Sequence, residues 1–375
     1  MKSEKPLGGR IFTIPFTIFF IIALISLYFL GKRFVLGLGA VTNLNDGYPW
    51  GIWITYDVVV GTAFACGGYA TALLIYVFNK REYHPLMKSA ILTSLLGYTM
   101  SSVAVFLDVG RYWQLYNIFL PWYGNVNSVL FEVALCIAVY TFVLWFEFAP
   151  TILAKFNLEK LQAALNKIMF ILIALGVLLP TMHQSSLGSL MIVAGHKLYP
   201  LWWSSFLPLL YLISAVMMGY AVVMVESSIS TLRYKLPDET EILGKIAKVL
   251  ALLAGIFLVL RICDIALRGH FELIFKGDLL GNIFIIENVL LIVPVCMLAI
   301  PSNRKKPRVL FLSALSMMFS GGLLRFNSYL VGFNPGNGWH YFPAAPEIII
   351  TLGIIAIEIM VYIWCIKRLP VFQKA

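Results

Sequence analysis

The chain has 375 residues, of which 60% are hydrophobic and only 12% are charged, and its mean hydropathy is +0.87. This composition excludes a soluble globular protein and is typical of a polytopic membrane protein. The formal net charge of +10 does not imply a nucleic-acid partner, because short basic loops beside membrane helices account for it.

Ten apolar runs are long enough to span a bilayer, which takes about 20 residues per helix. They are predicted at residues 11–36, 54–78, 86–107, 127–146, 166–179, 202–225, 246–267, 281–300, 309–330 and 347–366. The fifth run is short and is expected to end at Pro180. The predicted fold is therefore all-α, with about ten transmembrane helices in a single integral membrane domain over residues 1–375.

The loops between the predicted helices differ in composition on the two sides. Lys and Arg concentrate at the chain ends and in the loops after helices 2, 4, 6 and 8, which predicts that both termini are cytoplasmic. The opposite loops, at residues 43–53, 111–116, 121–127 and 333–342, are rich in aromatic residues, Gly and Asn. An interfacial aromatic belt explains scattered aromatics, but their concentration with Gly, Pro and Asn favours a docking surface for an extracytoplasmic partner.

Two groups of charged residues recur at the outer ends of predicted helices. They are Asp108, Arg111 and Glu132 in the first half, and Arg261, Asp264 and Glu287 in the second half. The separation of the two acids is 24 residues in the first group and 23 in the second. Ionisable groups at membrane depth usually mark a functional site. The pattern predicts two parallel four-helix units plus extra helices, with repeat units at about 50–150 and 200–300.

His183 lies in a polar segment, residues 180–190, that is expected to follow helix 5. An imidazole can hydrogen-bond a carbonyl and pass a proton, which suits the headgroup of a lipid-soluble quinone. A polar helix cap with a solvated His is an equal alternative. Tyr98 is expected deeper in helix 3 as a hydrogen-bond donor, although ordinary packing is the favoured interpretation for it.

Three acids are predicted at the same membrane level as His183, namely Asp57, Asp108 and Glu132. Arg111 is spaced to neutralise Asp108 as an i, i+3 pair, so a structural salt bridge is an alternative for these two. Glu132 has no such local partner and is the predicted proton-exchanging group.

Other charged residues have simpler interpretations. Arg261 and Asp264 are expected to neutralise each other, and Arg325 to bind a partner or a lipid headgroup. Glu147, Glu226 and Glu358 are candidates for a proton path in the inner half, although Glu147 and Glu226 are more simply interfacial.

The histidines and cysteines predict no bound metal. His84, His183, His196, His270 and His340 are all expected in loops or at helix ends, without the paired mid-helix histidines of a transmembrane b-type haem. The five Cys residues are isolated within apolar runs and lack the spacing of cluster or zinc sites. We therefore expect no haem and no iron–sulfur cluster in this chain.

Several motifs carry a resemblance that spans almost the whole chain. They are Leu36-Gly-Leu-Gly, Tyr48-Pro-Trp-Gly-Ile-Trp, Phe64-Ala-Cys-Gly-Gly, Asp108-Val-Gly-Arg-Tyr-Trp, Asn125-Val-Asn-Ser-Val-Leu-Phe-Glu, Glu147-Phe-Ala-Pro, Leu178-Leu-Pro-Thr-Met-His-Gln-Ser-Ser, Phe311-Leu-Ser-Ala-Leu-Ser and Phe333-Asn-Pro-Gly. The chain resembles the NrfD/PsrC family of quinone-reactive membrane subunits, in particular its HybB-type branch, which serves type 2 uptake nickel–iron hydrogenases.

The resemblance implies a haem-free subunit of a hydrogen:quinone oxidoreductase complex in the bacterial inner membrane. A nickel–iron large subunit on the outer face would supply electrons through an iron–sulfur small subunit and a ferredoxin-like iron–sulfur subunit, and menaquinone would receive them here. The positions that match the polar motifs of the family are Asp57, Asp108, Arg111, Glu132 and His183, and Glu132 matches a carboxylate linked to proton transfer.

Three alternatives stay open from the sequence. A proton-coupled secondary transporter also uses repeats and buried carboxylates, although transporter sites usually lie near the midplane at broken helices. A quinone subunit of a different NrfD-type oxidoreductase is the second alternative, and a passive membrane anchor for a redox complex is the third.

Overall fold

The computed structural model describes residues 6–372. Ten of its helices are long and apolar enough to cross a membrane, and they are α1 (Ile14–Leu36), α2 (Trp53–Val77), α3 (His84–Asp108), α4 (Val129–Lys155), α5 (Glu159–Ala194), α6 (Leu207–Tyr234), α7 (Thr240–Leu267), α8 (Leu279–Ala299), α9 (Pro307–Val331) and α10 (Ala345–Arg368). The predicted all-α polytopic fold is confirmed. The predicted location of the termini falls partly on residues 1–5 and 373–375, which lie outside the described residues.

The helices form two groups of four consecutive members. Successive helices are in contact from α2 to α5 and again from α6 to α9, and α9 returns to pack on α6. The groups meet where α6 contacts α5 and α2 and where α9 contacts α2, while α1 packs on α10. These groups extend further along the chain than the repeat units predicted at about 50–150 and 200–300, and the repeat itself stays a prediction.

Helix α2 is the most deeply buried of the ten, and its backbone is irregular. It contains π-helical segments at Trp53–Val60 and Leu73–Val77, and it is interrupted at Ala65 and Cys66. Such segments are rare, and they leave carbonyl groups that other partners must satisfy. A small residue lets the neighbouring helix approach closely, since a Cβ atom on Gly219 of α6 would lie 2.5 Å from the carbonyl oxygen of Cys66.

Helix α5 contradicts the predicted end at Pro180. It continues through Pro180 to Ala194, so that His183 lies inside the helix and not in a loop. Proline is tolerated within membrane helices because neighbouring groups satisfy the freed backbone. Helices α4 and α8 contain Pro150 and Pro294 in the same way.

The outer loops at 43–53 and 333–342 are bound to each other by a buried acid. Glu347, at the start of α10, accepts hydrogen bonds from the Tyr341 hydroxyl at 2.6 Å and from the backbone N–H groups of Asn43 and Ala344 at 3.0 and 2.7 Å. Burial, together with the Glu347 carboxylate, raises the pKa of Tyr341 far above its usual value. By contrast, the loop after α3 leaves its aromatic residues exposed, with Trp122 at 75%.

Replacing Gly219 with Ala should destabilise the contact between α2 and α6. The added methyl group would meet backbone atoms that cannot rotate away, and overpacking of this kind costs about 1–3 kcal/mol. Thermal unfolding of the purified chain in one detergent, followed by tryptophan fluorescence, measures the effect. Gly255→Ala in α7 is the matched control, because nothing lies within 4 Å of the added methyl group. Equal melting temperatures for both variants would contradict this account of the packing.

Candidate functional site

His183 lies completely buried among three helices. Its Nε2 atom is 2.8 Å from the hydroxyl of Tyr98 on α3, and its Nδ1 atom is 3.0 Å from the carbonyl oxygen of Leu179. Tyr98 is ten residues before the end of α3 and His183 is eleven before the end of α5. At 1.5 Å per residue these positions are roughly 15 Å below the outer ends of their helices, near the middle of a hydrocarbon core about 30 Å thick.

The hydrogen bonds of His183 determine its tautomer. A carbonyl oxygen only accepts, so Nδ1 donates to Leu179 and Nε2 of the neutral ring is an acceptor. Two donors lie against that single lone pair, the Tyr98 hydroxyl and the Gln184 amide nitrogen at 3.0 Å. Gln184 also donates to the Thr62 hydroxyl of α2 at 3.0 Å, and its buried oxygen has no partner among the described residues.

Glu132 lies close to this group but nearer the outer surface. The Ser186 hydroxyl donates to its carboxylate at 2.9 Å, so Glu132 has a partner on α5 that the sequence did not indicate. Ser186 is three residues after His183, on the same face of α5. Glu132 therefore contacts α5 one helical turn outward from His183.

The other predicted site residues are placed apart from His183. Asp57 is buried, and its carboxylate accepts a long hydrogen bond of 3.5 Å from Thr351 of α10. Asp108 does not pair with Arg111, because α3 ends at Asp108 and the exposed Arg111 lies beyond the helix. Arg33 of α1 occupies this region instead. Its guanidinium donates to the carbonyl oxygens of Leu107 and Val109 at 2.8 and 2.7 Å.

The second group of charged residues forms different pairs from those predicted. Arg261 does not neutralise Asp264 but forms an ion pair with Glu287 of α8, while Arg268 pairs with Asp264 at 2.8 Å. Glu287 is fully buried and also accepts hydrogen bonds from the Trp202 indole and the Asn327 amide. A buried carboxylate is costly unless a cation and further hydrogen bonds compensate its charge, and Glu287 has both.

Two further interpretations from the sequence are corrected. Arg325 does not face a partner or a lipid headgroup, because it is completely buried between α2, α6 and α9. Glu226 is not a simple interfacial residue either. It accepts hydrogen bonds from Thr93 of α3 at 2.8 Å and from Tyr362 of α10 at 2.5 Å.

Sequence reasoning missed three polar residues with defined roles in the structure. Arg33 holds the end of α3, Glu347 holds the outer loops, and Gln184 bridges His183 to α2. Only Gln184 had a signal in the sequence, since it lies in the polar segment beside His183. The partners of Arg33 are distant along the chain, and so is Asn43, the residue of the first outer loop that Glu347 binds.

The chain is similar to membrane subunits of several redox complexes. It is 45% identical to the "Probable Ni/Fe-hydrogenase 2 b-type cytochrome subunit" of Escherichia coli strain K12, over 98% of this chain and 95% of that protein. It is 27% identical to the "Menaquinone reductase, integral membrane subunit" of Nitratidesulfovibrio vulgaris, over 90% and 86%. It is 23% identical to one of the subunits of the selenate reductase of Mesobacillus selenatarsenatis, over 96% and 94%.

The first of these names corrects the expectation that this chain has no haem. A b-type cytochrome subunit is a haem protein by name, and the expectation rested partly on placing His183 in a loop, whereas it lies inside α5. The described residues nevertheless do not fit two histidine ligands. Both ring nitrogens of His183 are engaged in hydrogen bonds, and His84, His196, His270 and His340 are not buried.

A family model described as "Polysulphide reductase, NrfD" matches residues 40–331. This range contains both four-helix groups, from α2 to α9, and leaves α1 and α10 outside. The match covers more than half of the chain, and the relatives extend over nearly all of it. The chain belongs to the NrfD family.

Proposed function

We propose that this chain is the quinone-reactive membrane subunit of a hydrogenase-type complex. It receives two electrons from iron–sulfur subunits on the outer face and, with two protons, converts the two carbonyl groups of menaquinone into hydroxyl groups. The names of a hydrogenase 2 subunit and a menaquinone reductase subunit among the relatives support this assignment.

The main support for the proposal is that His183 has one more hydrogen-bond donor beside it than its single lone pair can accept. One Nε2 lone pair faces both the Tyr98 hydroxyl and the Gln184 amide, so one donor is free to turn toward a ligand without leaving His183 unsatisfied. A quinone carbonyl is an acceptor that takes such a donor. The unpartnered oxygen of Gln184 supplies an acceptor for the hydroxyl that forms on reduction.

Glu132 is the proposed proton entry to this site. It is half-buried near the outer end of α4, so it is within reach of both the outer face and the interior. Its hydrogen-bond partner Ser186 lies one helical turn outward from His183, and the neutral imidazole of His183 accepts a proton at Nε2 once both Tyr98 and Gln184 have turned toward the ligand. Glu147, Glu226 and Glu358 are the groups from which a path across the inner half would be built.

The proposed partners dock on the face that carries the outer loops. They are a nickel–iron large subunit, an iron–sulfur small subunit and a ferredoxin-like iron–sulfur subunit. The exposed aromatic residues of the loop after α3, including Trp113 and Trp122, support docking there. The distribution of Lys and Arg supports cytoplasmic termini in a bacterial inner membrane.

Proton-coupled secondary transport is the second candidate, and two observations favour it. The His183 group lies near mid-depth, and α2 is interrupted beside it, as in many transporters. Hydrogen-dependent reduction of a quinone by the purified complex distinguishes the two functions, because a transporter subunit would not change that rate.

Tyr98→Phe should weaken use of the quinone while preserving the packing of the ring against Tyr140. Loss of one hydroxyl donor should raise the KM for a soluble naphthoquinone by about threefold to tenfold. Steady-state kinetics of the hydrogen-fed complex measure this change. Tyr220→Phe, which removes another buried hydroxyl from α6, is the control. An unchanged KM in the Tyr98 variant would argue against a role for this donor.

Glu132→Gln should slow hydrogen-dependent quinone reduction by roughly tenfold or more, because the amide cannot exchange the proton. Reduction of a soluble dye by the partner subunits should stay unchanged, since it does not involve this chain. Glu82→Gln is the control, as Glu82 is half-exposed and pairs with Lys245 at 2.8 Å. Normal quinone turnover in the Glu132 variant would exclude this carboxylate as the proton entry.

A further inference from the structure

Arg325 is a fully buried cation whose bonding partners are all neutral. Its guanidinium donates to the carbonyl oxygen of Val59 on α2 at 3.0 Å, and to the carbonyl oxygen of Tyr211 and the hydroxyl of Ser214 on α6 at 2.9 and 3.1 Å. It also lies 4.7 Å from the centre of the Tyr211 ring. Three helices therefore fix its position.

This charge is not neutralised by an acid. No carboxylate among residues 6–372 lies within ion-pair distance of Arg325, whereas Arg261, which is also buried, is paired with Glu287. An uncompensated charge at membrane depth is costly. In addition, the Nε donor of Arg325 is buried without a partner among those residues. A site that binds an anion would offset both costs.

The same short segment of α2 contacts both Arg325 and the His183 group. The Val59 carbonyl oxygen accepts from Arg325, the Thr62 hydroxyl accepts from Gln184, and the Cys66 sulfur lies 3.8 Å from the Tyr98 hydroxyl. These three residues lie within eight positions of the chain, so Arg325 and the His183 group bind neighbouring turns of one helix.

We propose that Arg325 is the fixed cation of the quinone site and stabilises the reduced headgroup while it is still an anion. The inference rests on the proposed function. Two electrons and one proton convert the quinone into a hydroquinone monoanion, and the second proton then gives the neutral hydroquinone. A preorganised cation in a low-dielectric site stabilises the anion without reorganisation. Arg325 is a positioning residue, because its role is electrostatic and its bonds hold it in place.

Binding of a matched pair of probes to the full chain in lipid nanodiscs tests this role. The probes are 2-hydroxy-1,4-naphthoquinone, which is an anion at neutral pH, and 2-methoxy-1,4-naphthoquinone, which is neutral. The ratio of their dissociation constants isolates the charge from the shape of the headgroup. In Arg325→Gln we expect the dissociation constant of the anionic probe, divided by that of the neutral probe, to rise by about tenfold or more.

Two further variants separate charge from folding. Arg325→Lys keeps the cation and should keep the preference for the anionic probe, even if both probes bind more weakly. Ser214→Ala removes one hydrogen bond of Arg325 and leaves its charge, so its ratio should match that of the unmodified chain. Loss of the preference in Arg325→Lys as well as in Arg325→Gln would overturn the electrostatic role.

The two proposals fail in different ways. If both probes bind and the ratio is the same in Arg325→Gln as in the unmodified chain, the electrostatic role is wrong and the quinone function stands. If neither probe binds to the unmodified chain, the quinone function itself is overturned. If Arg325→Gln loses both probes through misfolding, the ratio measured in Arg325→Lys decides the result.

Discussion

The architecture of this protein depends on satisfying buried polar groups with partners on other helices. Hydrocarbon offers no hydrogen bonds, so every such group must find its partner inside the protein. Helix α2 illustrates this constraint most clearly. Its irregular backbone leaves groups that its neighbours satisfy, with Arg325 donating to the Val59 carbonyl oxygen and the Ser94 hydroxyl accepting from the Gly68 N–H group at 2.8 Å. The first of these bonds connects the two four-helix groups, and the second connects α2 to α3 within the first group.

The buried arginines Arg261 and Arg325 show two solutions to the same problem. Arg261 forms an ion pair with Glu287, and the indole of Trp202 completes that cluster with a further hydrogen bond. The cluster contains one cation and one anion, so its charges balance while it connects α7 and α8. Arg325 has only neutral groups as hydrogen-bond partners. This difference in charge balance is the reason for proposing a role toward an anionic ligand for Arg325 and not for Arg261.

Hydrophobic runs predicted the ten membrane helices, because length and hydropathy are local properties. The length of α5 could not be predicted in this way. Pro180 and the polar residues after it resemble a helix end, and only the partners Tyr98 and Thr62 on other helices make His183 and Gln184 compatible with a continued helix. Of the predicted site, Tyr98 and His183 come together, whereas Arg33, which binds the carbonyl oxygens on either side of Asp108, could not be predicted from the residues near Asp108 in sequence.

The region that the family model matches includes the contacts of the His183 group but not the contact between Asp57 and α10. His183, Gln184, Thr62 and Arg325 all lie within residues 40–331, as do their partners, so the matched region contains the whole His183 group. The contacts of Asp57 with Thr351, in contrast, depend on α10, which lies outside it. The relatives are named for a hydrogenase, a menaquinone reductase and a selenate reductase. The surplus donors and the uncompensated cation both lie in the eight helices that the family model matches, and this location agrees with a role in chemistry that the family shares.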